Sequence, residues 1–237
     1  VHGSTTETWG NNVDARIFLQ NNPNAIPGWS IPVGQSIPGF TRPSSTTSHP
    51  TLTFNHTANL SQSPTTASNR DAAVNAFFWS NWAHDRLVEL GFDEAAGNFE
   101  QVNSSGQGTG GDAMLVNVQF GYDGGFRNQN WNETDPQDGL GPNRIRLGIF
   151  DGPSPDRDMG FDNEVILHEY THGLYRRLVG PIGAVQSFGM EEATCDFMGL
   201  SFLSSSSDPL QGFSAVYPST GFMSVSYTHL RAHETPV

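Results

Sequence analysis

Between residues 72 and 90, apolar side chains recur at three- and four-residue steps: Ala72, Ala73, Ala76, Phe77, Trp79, Ala83, Leu87 and Leu90. That period predicts a largely buried helix from about residue 69 to Leu90, with Gly91 ending it. The period shortens to two at Met114, Val116, Val118 and Phe120, a strand that follows the glycine-rich connection 106–111. A second alternation sets Ile145, Leu147 and Ile149 against Arg144 and Arg146, which predicts a strand with one solvent face. Between the two strands, residues 128–131 form a candidate short edge segment. Residues 1–66 are rich in Ser, Thr, Pro and Asn, and the short apolar stretches 15–19 and 52–54 predict short strands among long loops.

The helical period returns at residues 163–179. Asp162 stands at the N-cap position, Glu164 in the first turn, and Arg176 and Arg177 in the last, before Gly180 and Pro181. A further helix is expected from about Met190 to Leu203, closed by the serine run 204–207 and Asp208-Pro209. Helices and strands in this order predict an α+β fold.

Composition narrows the function. A formal net charge of -13, with only 11 Lys and Arg in 237 residues, excludes a nucleic-acid partner, because binding phosphates needs clustered cations. No apolar run has the length of a membrane span, and the single cysteine, Cys195, excludes an internal disulfide framework. The polar, turn-rich composition is that of secreted hydrolases.

Chemistry concentrates in the segment His168-Glu169-Tyr170-Thr171-His172. Imidazoles four residues apart project from one helix face and can share a metal, and Glu169 beside them is placed to take a proton from water acidified by that metal. A catalytic Zn²⁺ needs a third protein ligand, and the next helix offers Glu191 and Glu192. Asp196 lies one turn beyond Glu192, where a carboxylate can accept the free N–H of a ligating histidine; from Glu191 the same step lands on Cys195. The pairing selects Glu192 as ligand, supported by Asp196. Tyr175 and Leu178 stand where a metzincin needs Gly and His, which excludes that subclass.

The order His168, Glu169, His172, Glu192, Asp196 resembles the thermolysin-like glutamate zincins. More narrowly, the stretches 8–13 (TWGNNV), 77–85 (FFWSNWAHD), 91–99 (GFDEAAGNF), 136–139 (PQDG) and 168–174 (HEYTHGL) are similar to the fungalysin family of secreted metalloendopeptidases. The resemblance covers most of residues 8–203. It implies a two-lobed zincin, with residues 1–180 forming a β-containing upper lobe that carries the zinc helix and residues 181–223 beginning a helical lower lobe. It further implies Zn²⁺, protein or peptide substrates, a precursor with a signal and an inhibitory propeptide, extracellular location, and a monomer. An edge strand that pairs with extended substrate is also implied, and Asn130 and Trp131 occupy the matching place. His84 and Asp85 match the family pattern too, but on the earlier helix a structural histidine is expected.

The chain departs from the family at the third ligand, where Glu191-Glu192-Ala193-Thr194-Cys195-Asp196 replaces Gly-Glu-Gly-Trp-Ser-Asp. The oxyanion-stabilising histidine of the family, in a Val-His-x-x-Gly context, has no match. Residues 224–237 change character and read as a non-native tail, so His229 and His233 are given no role. Two alternatives follow: a zinc aminopeptidase using Glu191 at its shorter interval, and a non-catalytic zinc-binding fragment. The acidic stretch 151–162 offers oxygen donors of the kind Ca²⁺ takes, although a solvated charge cluster has the same composition.

Overall fold

A computed structural model of the chain describes residues 6–18, 40–48, 51–64, 70–121, 128–141 and 143–204. Elements run in the order β1 (Val13–Phe18), β2 (Phe40–Thr41), α1 (Arg70–Glu89), β3 (Met114–Val118), β4 (Asn130–Glu133), β5 (Arg144–Leu147), β6 (Ile149–Phe150), β7 (Arg157–Asp158), α2 (Asn163–Val179) and α3 (Val185–Leu203). The fold is α+β, compatible with a zincin.

Five strands form one sheet in the order β2-β1-β3-β5-β4. The central three are parallel, and β2 and β4 are antiparallel edges. Parallel strands under helices bury both faces. Every residue of β1, β3 and β5 is accordingly buried, which corrects the expectation of a solvent face at Arg144 and Arg146. Arg146 is accommodated because its guanidinium lies 4.7 Å from the Phe120 ring centroid and 4.4 Å from that of Trp131, and donates to Glu133 at 2.8 Å. Burial still pulls its pKa down to about 10, against the opposing charge of Glu133.

The alanine stripe of α1 (Ala72, Ala73, Ala76, Ala83) lets that helix lie close to the sheet, and it shares one apolar core with Val13, Ala15, Val116, Val118, Ile166 and Leu167. Leu90 falls just past the helix and is exposed. Residues 52–54 form no strand; the Thr53 carbonyl instead accepts from the Thr46 N–H and from the Ser45 and Thr46 hydroxyls, a local turn network. His84 is buried, with Asp85 at 3.0 Å from Nδ1 and Asn98 at 3.2 Å from Nε2, a satisfied structural histidine.

Helix α2 keeps the bounds its punctuation predicts. Asp162 accepts from the N–H groups of Glu164 and Val165, and Gly180, at φ +89°, closes the helix by donating to the Arg176 carbonyl. Helix α3 begins five residues before its expected start, at Val185 rather than Met190, because Gly189 is absorbed into it. Ala184 provides no side-chain cap, so the start carries no sequence signal. Gly199 is where α3 meets α2: a Cβ there would approach Cγ of Glu164 to 3.3 Å.

Candidate metal centre

α2 runs between the sheet and α3, and its buried stretch from Glu164 to Leu174 carries the two histidines. The four-residue spacing turns both imidazoles toward α3, with Nε2 of His168 3.1 Å from Nε2 of His172. From α3, Glu192 brings Oε2 to 3.2 Å from Nε2 of His168 and Oε1 to 3.6 Å from Nε2 of His172. The opposite ring nitrogens also face carboxylates. Nδ1 of His168 is 2.8 Å from Asp196, and Nδ1 of His172 is 2.8 Å from Glu191. Carboxylates accept, so each Nδ1 donates its proton there, and in its neutral form each ring would turn a lone pair at Nε2 toward the other ring and toward Glu192.

Three electron-pair donors converging in this way call for a positive charge among them. The same conclusion follows from His168 itself. Burial alone would lower its pKa, but the contacts with Asp196 and Glu192, with the charge of Glu169 behind them, outweigh burial and push it up to about 10.

Glu169 faces β4. Its Oε1 accepts from Asn130 Nδ2 at 2.6 Å, and its backbone carbonyl accepts from Asn132 Nδ2 at 2.9 Å. Its Oε2 is buried and accepts no hydrogen bond among the described residues. Strand β4 lies at the sheet edge. Gly148 N–H donates to the Gln129 carbonyl, so antiparallel alternation aims the backbone N–H and C=O of Asn130 and Asn132 away from β5; the Asn132 carbonyl accordingly accepts from Arg176 at 3.1 Å.

The chain matches the family model for Fungalysin metallopeptidase (M36) over residues 1–231. It is 39% identical over 199 residues to an extracellular metalloproteinase of Fusarium vanettenii, covering 81% of this chain and 30% of that protein. An extracellular metalloproteinase of Aspergillus niger is 38% identical over 181 residues (74% of this chain, 27% of the relative), and extracellular metalloproteinase 1 of Phaeosphaeria nodorum 34% over 197 residues (81% and 30%). The chain belongs to the fungalysin metallopeptidase family. It spans about three tenths of the length of these curated relatives.

A metallopeptidase implies a metal, and the residues present fit one. Donors about 2.0–2.1 Å from a tetrahedral zinc lie about 3.3 Å apart, and the two Nε2 atoms and the Glu192 carboxylate are separated by 3.1, 3.2 and 3.6 Å. Cys195 competes for the third place, since its sulfur and a donor from each histidine lie within 4.8 Å of one another. Glu192 is the better fit. Its oxygens stand 3.2 and 3.6 Å from the two Nε2 atoms, the separation two ligands of one zinc require, whereas Cys195 is fully buried on the side of α3 shared with Glu191 and Gly199. The group His168, His172 and Cys195 lies at this same centre, and no other group of His, Cys, Asp or Glu with metal-ligand spacing occurs among the described residues. In the acidic stretch 151–162, Asp158 and Asp162 accept backbone N–H bonds instead.

The sequence placed His168, Glu169, His172, Glu192 and Asp196, and the fold brings all five together. Asn130 also reaches the site, through its side chain; Trp131 instead packs on Arg146 and Phe120. Glu191 was missed as a histidine partner. The four-residue stripe Glu191, Cys195, Gly199 is the buried side of α3 and was the available signal. Residues 205–237, with His229 and His233, lie outside the described residues, as do 19–39.

Proposed function

We propose that this chain carries the catalytic centre of a secreted zinc endopeptidase, with Zn²⁺ held by His168, His172 and Glu192. The observation that carries the reading is the convergence of two Nε2 lone pairs and one carboxylate at zinc spacing, each Nδ1 being committed to another carboxylate. Zinc held there supplies Lewis acidity, acidifying water and polarising a peptide carbonyl.

The chain's own residues do the rest. Glu169 is the general base: Asn130 occupies Oε1, so Oε2 takes the proton of the attacking water and later delivers it to the departing amine. Asn130 offers outward backbone groups along the β4 edge, where an extended substrate adds as a further strand, main chain to main chain. This supports protein and peptide substrates over free amino-terminal residues alone. The aminopeptidase alternative needs Glu191 as ligand, and Glu191 faces the far nitrogen of His172. We place the start of the lower lobe at α3, after residue 180, and the relatives' names support an extracellular protein. No described helix is long and apolar enough to cross a membrane.

The test is zinc content and casein cleavage for the chain and for Glu169→Gln. The expected result is zinc in both proteins and a loss of about 10²–10⁴ in turnover in the variant. Metal-free protein, or a variant that cleaves as well as the parent, overturns the reading.

A further inference from the structure

The histidine partners at this centre are not equivalent, and Glu191 is the unusual one. It is 1% exposed, on the turn of α3 that faces α2, and its Oε1 accepts both from His172 Nδ1 at 2.8 Å and from Arg176 Nε at 3.1 Å. Arg176 in turn donates to the Asn132 carbonyl on β4 at 3.1 Å. A carboxylate this deeply buried is retained only when it is paired and hydrogen-bonded, and its two partners are a ring that faces the metal position and a cation one turn farther along α2.

We infer that Glu191 is a positioning residue for the metal: it fixes the tautomer and orientation of His172, and adds a negative charge that strengthens Nε2 as a donor. The inference rests on the zinc reading above. Asp196 does this for His168 and leaves His172 to Glu191, so each imidazole has its own carboxylate. Arg176 holds the Glu191 carboxylate from the other side through Nε and reaches the edge strand through a second nitrogen, which donates to the Asn132 carbonyl, so one guanidinium links α3 to β4.

A purely structural role predicts something different. If Glu191 only docks α3 onto α2 through Arg176, then removing Arg176 should affect the site as much as removing Glu191. The experiment measures zinc affinity by competition with a chromophoric chelator for the parent chain, Glu191→Ala, Glu191→Gln and Arg176→Leu. In parallel, ¹⁵N-histidine spectra follow the two Nδ1–H groups. Glu191→Ala is expected to weaken zinc binding by about 10- to 100-fold. Glu191→Gln, whose amide oxygen still accepts, is expected to lose about 3- to 10-fold, and Arg176→Leu less than about 3-fold. The His172 Nδ1–H signal should disappear in Glu191→Ala while that of His168 persists, which also reports that the variant is folded.

Zinc affinity within about 3-fold of the parent in Glu191→Ala, or an equal loss in Arg176→Leu, overturns the inference and leaves the zinc reading standing. If Glu191→Ala does not fold, Glu191→Gln decides, and parental affinity there overturns the inference. A parent chain that takes up no zinc removes the zinc reading and this inference with it.

Discussion

Asp158 ends β7 and caps the 3₁₀ turn Met159–Phe161 that delivers the chain to the α2 cap, and replacing it by Asn should make the protein less sensitive to alkaline pH. Its Oδ1 accepts from the Gly160 N–H at 2.8 Å and its Oδ2 from Gln119 Nε2 at 2.9 Å. It is 4% exposed, and burial, only partly offset by the Gly160 N–H, pushes its pKa up to about 7. The sign follows from proton counting. Between the unfolded value near 3.8 and the folded value near 7 the native state binds the extra proton, so stability falls as pH rises through that window and stays low above it. Holding a carboxyl near 7 instead of 3.8 costs on the order of 4 kcal/mol at alkaline pH.

Asp158→Asn removes the ionisation and keeps the shape. The amide oxygen still accepts from Gly160, and a flip of Gln119, whose Oε1 is buried without a hydrogen bond among the described residues, lets the new NH₂ donate to it. Urea unfolding at about pH 5 and about pH 8 should show the stability of the variant over the parent widening by about 3 kcal/mol between the two conditions. Parallel pH dependence in the two proteins, or a variant less stable than the parent at the higher pH, refutes the reasoning.

Gly160→Ala should destabilise by about 1–3 kcal/mol in the same unfolding assay, because a Cβ there would stand 2.8 Å from Val118 Cγ1 and 3.1 Å from Ala72 Cβ, both in the rigid core. Parental stability would mean that α1 and β3 yield more easily than their packing suggests. Cys195→Ala should keep its zinc, as measured by metal analysis after dialysis, at a stability loss of about 1 kcal/mol for the small cavity; loss of the metal would move the third ligand from Glu192 to the thiol.

The sequence made the metal centre more legible than the frame around it. Two histidines one turn apart and a glutamate with a carboxylate four residues later are local patterns, set by helix geometry, and they survive folding unchanged. Helix α2 was legible for the same reason, since Asp162 and Gly180 punctuate it chemically. The sheet was harder. Arg144 and Arg146 alternate with apolar residues as a solvent face does, and only the parallel neighbours of β5 and the rings of Phe120 and Trp131 explain their burial. The start of α3 carries no cap, and Glu191 reads as a rival metal ligand until α2 is packed against it and its carboxylate meets the far nitrogen of His172. These features depend on contacts between segments far apart in sequence, which periodicity does not record.

The central claim is that zinc is held by Glu192 from α3 and not by its neighbour. Metal analysis of the purified chain beside Glu192→Gln and Glu191→Gln, at matched protein concentration and after dialysis against a weak chelator, tests it most directly. One zinc per parent chain, near-complete loss in Glu192→Gln and retention in Glu191→Gln is the expected result. Zinc retained in Glu192→Gln and lost in Glu191→Gln would contradict the account and reverse the roles of the two glutamates.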